Sequence, residues 1–142
     1  TNLRNVAFFL TPKHELAYLN KDASIRQAIE KFENHGMFLE IIVLDSEGRF
    51  VGILSAKDVL LAFKKIPELN FDNSHLHKIK DLQYDKNVIS VNIDTNSDVL
   101  VEISKIQNII PVVDGENRFI GIVRRANLLF FYYKKAGAIE DE

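Results

Sequence analysis

The sequence predicts an α+β fold made of two pseudo-symmetric copies of one β-α-β-β-α unit. Three observations carry that reading. Residues 45–58, "DSEGRFVGILSAKD", return 69 positions later as residues 114–127, "DGENRFIGIVRRAN". Between residues 43–60 and 112–129, eight of 18 positions are identical: Val43, Asp45, Glu47, Arg49, Phe50, Gly52, Ile53 and Leu60. Such a repeat has to be found before any motif is read, because missing it mis-assigns the whole fold. Finally, each copy places apolar residues at helical spacing both before and after a pair of short β-rich runs.

Taken in order, the first strand of copy one falls at Leu19, and Leu19-Asn20-Lys21-Asp22 aligns with Ile93-Asp94-Thr95-Asn96. That offset of 74 would leave copy two five residues shorter ahead of its second strand. Ile25, Ala28, Ile29 and Phe32 then follow i, i+3, i+4, i+7, an amphipathic helix entered through Asp22 or Ser24, with Gln27 completing a capping box. Copy two repeats the spacing with Val99, Ile103 and Ile106 in a shorter helix ending near Asn108. Next come "EIIVLD" and "IIPVVD", the turns Ser46-Glu47-Gly48 and Gly115-Glu116-Asn117, and "RFVGIL" and "RFIGIV". Two β-rich runs across a polar turn read as a hairpin.

A second helix runs from Asp58 to about Lys65, with Val59, Leu60 and Phe63 apolar, and in copy two from Asn127 to about Lys135. Repeat one thus spans residues 6–66 and repeat two residues 79–136; residues 67–78, opening at Pro67 and polar through "NFDNSH", read as a linker. "NLLFFYYKK", residues 127–135, is apolar nearly all round on a helix. It is either buried against both its own repeat and another subunit, or is the core helix of a small protein. The trailing "AGAIEDE" reads as a solvated acidic tail.

Composition excludes several functions. A net charge of −2 gives no overall attraction to nucleic acid. Without cysteine there is no thiolate nucleophile, no disulfide and no Cys-ligated zinc. No apolar run approaches the roughly 20 residues of a membrane helix, so the expected location is the cytoplasm, away from membranes. His75 and His77 share one side of an extended segment but have no evident third ligand, and no metal is expected. There is no Gly-x-Ser-x-Gly elbow, phosphate-binding loop or His-Glu-x-x-His motif. Catalysis by this chain is therefore not expected. The chain opens at Thr1, as a trimmed piece of a longer parent would.

An apolar strand ending in Val-x-Asp, a turn, an apolar-Gly-apolar strand and Ser55-x-x-Asp58 at a helix start, present twice over residues 6–136, resembles a tandem pair of CBS (cystathionine β-synthase) domains, a Bateman module. "FFLTPKHELAYL" resembles the start of small bacterial stand-alone pairs. The resemblance implies two repeats packed sheet to sheet, with clefts that take an adenosyl ligand: AMP, ADP, ATP, S-adenosylmethionine or cyclic di-AMP. It implies a homodimer formed through helices and an undetermined regulated target. No resident cofactor is implied.

At such a site the hydroxyl of Ser55 would face phosphate beside open helix amides, and Asp58 would grip the ribose hydroxyls. The base would lie against Phe38, Leu39, Glu40 and Ile41, with Ile109 and Ile110 their counterparts. Thr11 and Pro12 would close the cleft, and Lys13 would contact phosphate. The alternative is that Ser55 and Asp58 only cap the helix. In copy two Arg124 and Asn127 replace them, and Arg124 could clamp a polyphosphate bidentately or turn to solvent. Pro111 keeps the family's proline where copy one has Ile42, and Glu40 stands where a small residue is usual. Lys57 and Arg125 are read as solvated charge. Three roles compete: a nucleotide-binding regulatory module, a ligand-free dimerising module, and a regulatory piece of an enzyme or transporter.

Overall fold

Four helices and two sheets are built in a computed structural model that describes residues 4–35 and 39–137. In chain order the elements are β1 (Thr11–Pro12), β2 (Tyr18–Asn20), α1 (Ile25–Asn34), β3 (Glu40–Leu44), β4 (Phe50–Ser55), α2 (Ala56–Lys65), β5 (Val91–Asn92), α3 (Ser97–Ser104), β6 (Ile109–Val113), β7 (Phe119–Arg124) and α4 (Arg125–Lys135). The chain divides into two units: Leu16–Asn87, and Thr1–Glu15 together with Val88–Glu142.

In the unit Leu16–Asn87 the sheet order is β2-β3-β4, with β2 parallel and β4 antiparallel to β3. Ser24, and not Asp22, caps α1. Its hydroxyl accepts from the Gln27 N–H at 3.1 Å while Gln27 Oε1 accepts from the Ser24 N–H at 2.8 Å, so both partners of a capping box are present. Ile25 and Ala28 then face Ile41, Val43, Leu54, Val59 and Ala62 in the core. The stretch read as a linker is built into this unit. It contributes Leu69 to the core, and Arg26 Nη2 donates to the carbonyls of Phe71 and Asp72, at 2.7 Å each, with its guanidinium 4.8 Å over the Phe71 ring.

In the second unit the order is β1-β7-β6-β5. Here the offset of 74 is corrected to 72. Asn92 Oδ1 accepts from the Asp94 N–H as Asn20 Oδ1 does from the Asp22 N–H, and α3 follows Asn96 where α1 follows Ser24. The second copy is therefore three residues shorter before its second strand, not five, and α3 stops at Ser104 rather than near Asn108. The expected apolar face was out of phase for the same reason. Val99 and Ile106 are 43% and 73% exposed, while the buried positions are Leu100 and Ser97, the counterparts of Ala28 and Ile25. Ser97 can take an isoleucine's place in the interior because its hydroxyl accepts from the Arg4 N–H and the Tyr132 hydroxyl, each at 3.2 Å.

Proline explains a further difference between the sheets. Ile42 donates its N–H to the Ala17 carbonyl at 3.0 Å, and β2 pairs with β3 over three residues from Ile42 onward. Its counterpart Pro111 has no N–H, so β5 pairs with β6 only over Val112 and Val113.

Of the apolar run on α4, Leu128 is buried and Phe131 packs against the core. Leu129, Phe130 and Tyr133 are exposed, as is Leu60 at the matching place on α2. No helix among the described residues is long and apolar enough to cross a membrane.

Both hairpins turn on an aspartate. Asp45 Oδ1 accepts from the N–H groups of Glu47 and Arg49, at 2.9 Å each, and Asp114 Oδ1 from those of Glu116 and Arg118 at 2.8 and 3.0 Å. Gly48 and Asn117 occupy the left-handed position of the turn, with φ of 80° and 64°, which explains why a glycine and an asparagine alternate there. Donation by Arg49 foremost, then Glu47, holds the Asp45 carboxyl below its ordinary 3.8, and Arg118 then Glu116 do the same for Asp114. A carboxyl lowered by folding contributes stability that is present above pH 3.8 and lost as pH falls through the folded pKa. Urea unfolding should show the wild type weakening below that pH. The double variant Asp45→Asn/Asp114→Asn, which keeps the acceptors but cannot titrate, should weaken less; identical acid profiles would refute the assignment.

Each second hairpin strand carries a glycine crossed by another stretch of backbone. A Cβ at Gly52 would collide with the Asp85 carbonyl and one at Gly121 with the Thr11 carbonyl, whereas a Cβ at Gly115 would meet nothing within 4 Å. Gly52→Ala and Gly121→Ala are each expected to cost about 1–3 kcal/mol in urea unfolding. Gly115→Ala should stay within about 0.5 kcal/mol of wild type.

Candidate functional site

Each repeat turns from its last strand directly into a helix, and Ser55, Asp58, Arg124 and Asn127 lie at these two junctions. In the unit Leu16–Asn87, Ser55 is extended and forms the N-cap of α2. Its hydroxyl accepts from the Asp58 N–H at 3.2 Å, and Asp58 Oδ2 accepts from the Ser55 N–H at 2.8 Å. This is a closed capping box, so the cap is realised in full. It leaves the Ser55 hydroxyl hydrogen and Asp58 Oδ1 outside the box. Glu40 lies directly across from Ser55 in the β3–β4 ladder, so both side chains leave the same face. Carboxylates and hydroxyl make this junction rich in acceptors.

The other unit differs at each of these points. Arg124 is the N-cap residue of α4, and no side chain caps that helix. Asn127 is exposed, and Arg124 is opposite Ile109 in the β6–β7 ladder. The Arg125 N–H donates to the Asn108 carbonyl at 2.9 Å, while the start of α4 has no side-chain cap, and the positive end of a helix dipole without a carboxylate cap favours an anion.

The sequence profile of the CBS domain matches residues 7–65 and 79–134. The chain belongs to the CBS domain family. A CBS domain-containing protein of Dictyostelium discoideum is 30% identical over 121 residues, 78% of this chain and 80% of the relative. The solved structure of CbpB in complex with c-di-AMP superposes with a TM-score of 0.81 at 17% identity, covering 95% of this chain and 88% of that one. CbpB of Listeria monocytogenes, also in complex with c-di-AMP, gives 0.75 at 24% identity over 94% and 98%. These likenesses show the CBS-pair fold.

Placed on this CBS pair, the predicted site residues separate into two groups. Ser55, Asp58, Leu39, Glu40 and Ile41 share one unit; Thr11, Pro12, Lys13, Ile109, Ile110, Arg124 and Asn127 share the other. Phe38 lies outside the described residues. Leu39 is 72% exposed, whereas Ile41 and Ile110 are fully buried in their cores, so what they offer a junction is backbone. β1 runs antiparallel to β7, with Thr11 opposite Ile122 and Pro12 opposite Gly121. At Pro12 the chain is already three residues, roughly 10 Å, short of Arg124, and Lys13 lies further on.

Two features of the CBS pair escaped the sequence reading. Asp85 bridges Ile53 through two backbone bonds, at 2.9 and 3.2 Å, which brings Asp81 and Gln83 to a cavity of about 130 Å³ beside Asp58 and Lys65. Arg125, read as solvated, instead donates from Nε to the Ser104 carbonyl at 2.7 Å, a cation at the negative end of α3. Neither partner is near in sequence, so no local pattern could show it. Ser55→Ala, which opens the α2 capping box, should cost about 1 kcal/mol in urea unfolding. An unchanged midpoint would show that the box does not contribute.

Proposed function

We propose that the chain is a non-enzymatic regulatory module that binds an adenosine-containing nucleotide at its strand–helix junctions. The observation that carries this reading is the unequal chemistry of the two junctions. The Ser55–Asp58 junction presents acceptors, suited to ribose hydroxyls or an exocyclic amine. The Arg124–Asn127 junction has arginine and asparagine in those places and no carboxylate cap on its helix, chemistry suited to phosphate. Taken singly, the first junction suits the sugar or base of an adenosine nucleotide and the second suits its phosphate. Cyclic di-AMP and ATP therefore rank above S-adenosylmethionine, which has no phosphate. Membership of the CBS family supports the reading, and so do the neighbours solved with c-di-AMP.

A homodimer is part of this proposal. Leu60 on α2 and Leu129, Phe130 and Tyr133 on α4 are large apolar side chains left in solvent, more than scattered surface residues require. A ligand-free dimerising role is favoured by one observation, the closed Ser55–Asp58 box, which satisfies that junction without a ligand. For occupancy to regulate a target, the nucleotide must bind one state of the module better than another.

Calorimetric titration with c-di-AMP, ATP, AMP and S-adenosylmethionine separates the readings, with sedimentation reporting the oligomer. The phosphate-bearing ligands are expected to bind, and Asp58→Ala to weaken them about tenfold. Asn127→Asp, which puts a carboxylate in the first turn of α4, should by itself weaken phosphate binding at that junction by a factor of about 2–5. Silence from all four at millimolar concentration would leave the dimerising role.

A further inference from the structure

The second repeat is three residues shorter before its second strand, with a first helix of 8 residues against 10 and a connection of four against five, and two side chains bridge that connection. α3 ends at Ser104, where its last carbonyls have no helical partner, and β6 starts at Ile109, opposite Arg124. Arg125 spans the connection: Nε donates to the Ser104 carbonyl at 2.7 Å, and its backbone N–H donates to the Asn108 carbonyl at 2.9 Å. Gln107 fixes it from the other side. Its Oε1 accepts from the Ile89 N–H at 2.7 Å, and its Nε2 donates to the carbonyls of Ile89 and Ile109 at 3.0 and 3.1 Å.

Gln107 therefore pairs with Ile89 as a strand backbone would, and bonds the first residue of β6 as well. In the first repeat Ala56 stands where Arg125 does, and only the backbone bond survives, from the Ala56 N–H to the Leu39 carbonyl at 3.0 Å. The side-chain part of the Arg125 clasp is thus peculiar to the repeat whose helix is uncapped. The backbone it holds reaches the junction at Asn108, which accepts from the Arg125 N–H, and at Ile109, which is opposite Arg124 in the ladder.

We infer that Gln107 and Arg125 are positioning residues for nucleotide binding at the Arg124–Asn127 junction. This rests on the functional reading above. A ligand meeting a connection already held in place does not have to order it, and the ordering cost otherwise subtracts from affinity. Neither side chain needs to touch the ligand. Their removal should loosen residues 105–110 and so weaken binding in proportion to the order lost.

The test is calorimetric titration of the full chain with c-di-AMP and with ATP, beside thermal unfolding of each variant. Gln107→Ala and Arg125→Gln are each expected to raise Kd about tenfold and to lower the unfolding midpoint. Gln27→Ala, which opens the capping box of α1 in the other unit, is the control: it should lower the midpoint but keep Kd within about twofold of wild type. If Gln107→Ala does not fold, Gln107→Glu replaces it, keeping the acceptor for the Ile89 N–H and losing both donor bonds. Unchanged Kd in the Gln107 and Arg125 variants overturns the inference while nucleotide binding stands. An equal loss in Gln27→Ala also overturns it, since affinity would then follow stability alone. A wild-type chain that binds neither nucleotide overturns the functional reading and this inference together.

Discussion

The structure depends on backbone lying against backbone at two glycines. At Gly121 the strand Thr11–Pro12 crosses β7, and at Gly52 the segment at Asp85 crosses β4, each so close that no Cβ fits between. Pairing of this kind replaces side-chain packing with direct hydrogen bonds and leaves the two chains no freedom to slide. The consequence is topological. Residues 1–15 join the unit formed by residues 88–142, and the stretch near residue 85 joins the first repeat's sheet. Each hairpin gains a partner strand that its own sequence neighbourhood does not supply, and the helix that follows is aimed by a strand held on both edges.

From those fixed strands the two junctions diverge by a few side chains. Ser55 and Asp58 satisfy one another and the start of α2, so the electropositive end of that helix is already answered by a carboxylate, with Glu40 adding acceptor character across the ladder. Arg124 and Asn127 do not cap α4. The same backbone turn thus starts one helix with a carboxylate cap and the other without one. Duplication supplies the scaffold twice, and the copies diverge at three aligned positions of the junction: Glu40 and Ile109, Ser55 and Arg124, Asp58 and Asn127.

Much of the fold was legible because the hairpin and its flanking helix are local. Asp45, Gly52 and the apolar alternation around them sit within a span that one turn and one strand period dictate, and they recur intact 69 residues on. Less legible was the first helix of the second repeat. Matching apolar residues favoured Val99 under Ile25, yet the interior takes Ser97, whose hydroxyl is satisfied by Arg4 and Tyr132. The better signal was polar: Asn20-x-Asp22 and Asn92-x-Asp94 make the same Asx turn, and aligning them restores the phase. β1 could not have been paired from sequence. Two residues have no period, and their partner strand is over 100 positions away.

The second unit also carries a groove of about 420 Å³ between α3 and α4, lined by Val101, Leu128, Leu129 and Tyr132 with Asp98 and Glu102. A longer helix would continue past Ser104; here the carbonyl end is closed by the Arg125 guanidinium instead. Arg125 stands where the first repeat has Ala56, and so puts a cation in the first turn of α4, where the helix dipole opposes it unless an acceptor is near; the Ser104 carbonyl at the end of α3 is that acceptor. Arg125 is stable at an unfavourable end of one helix because it also occupies the favourable end of another. That coupling ties the order of the connection to the start of α4, the place where an anion would bind.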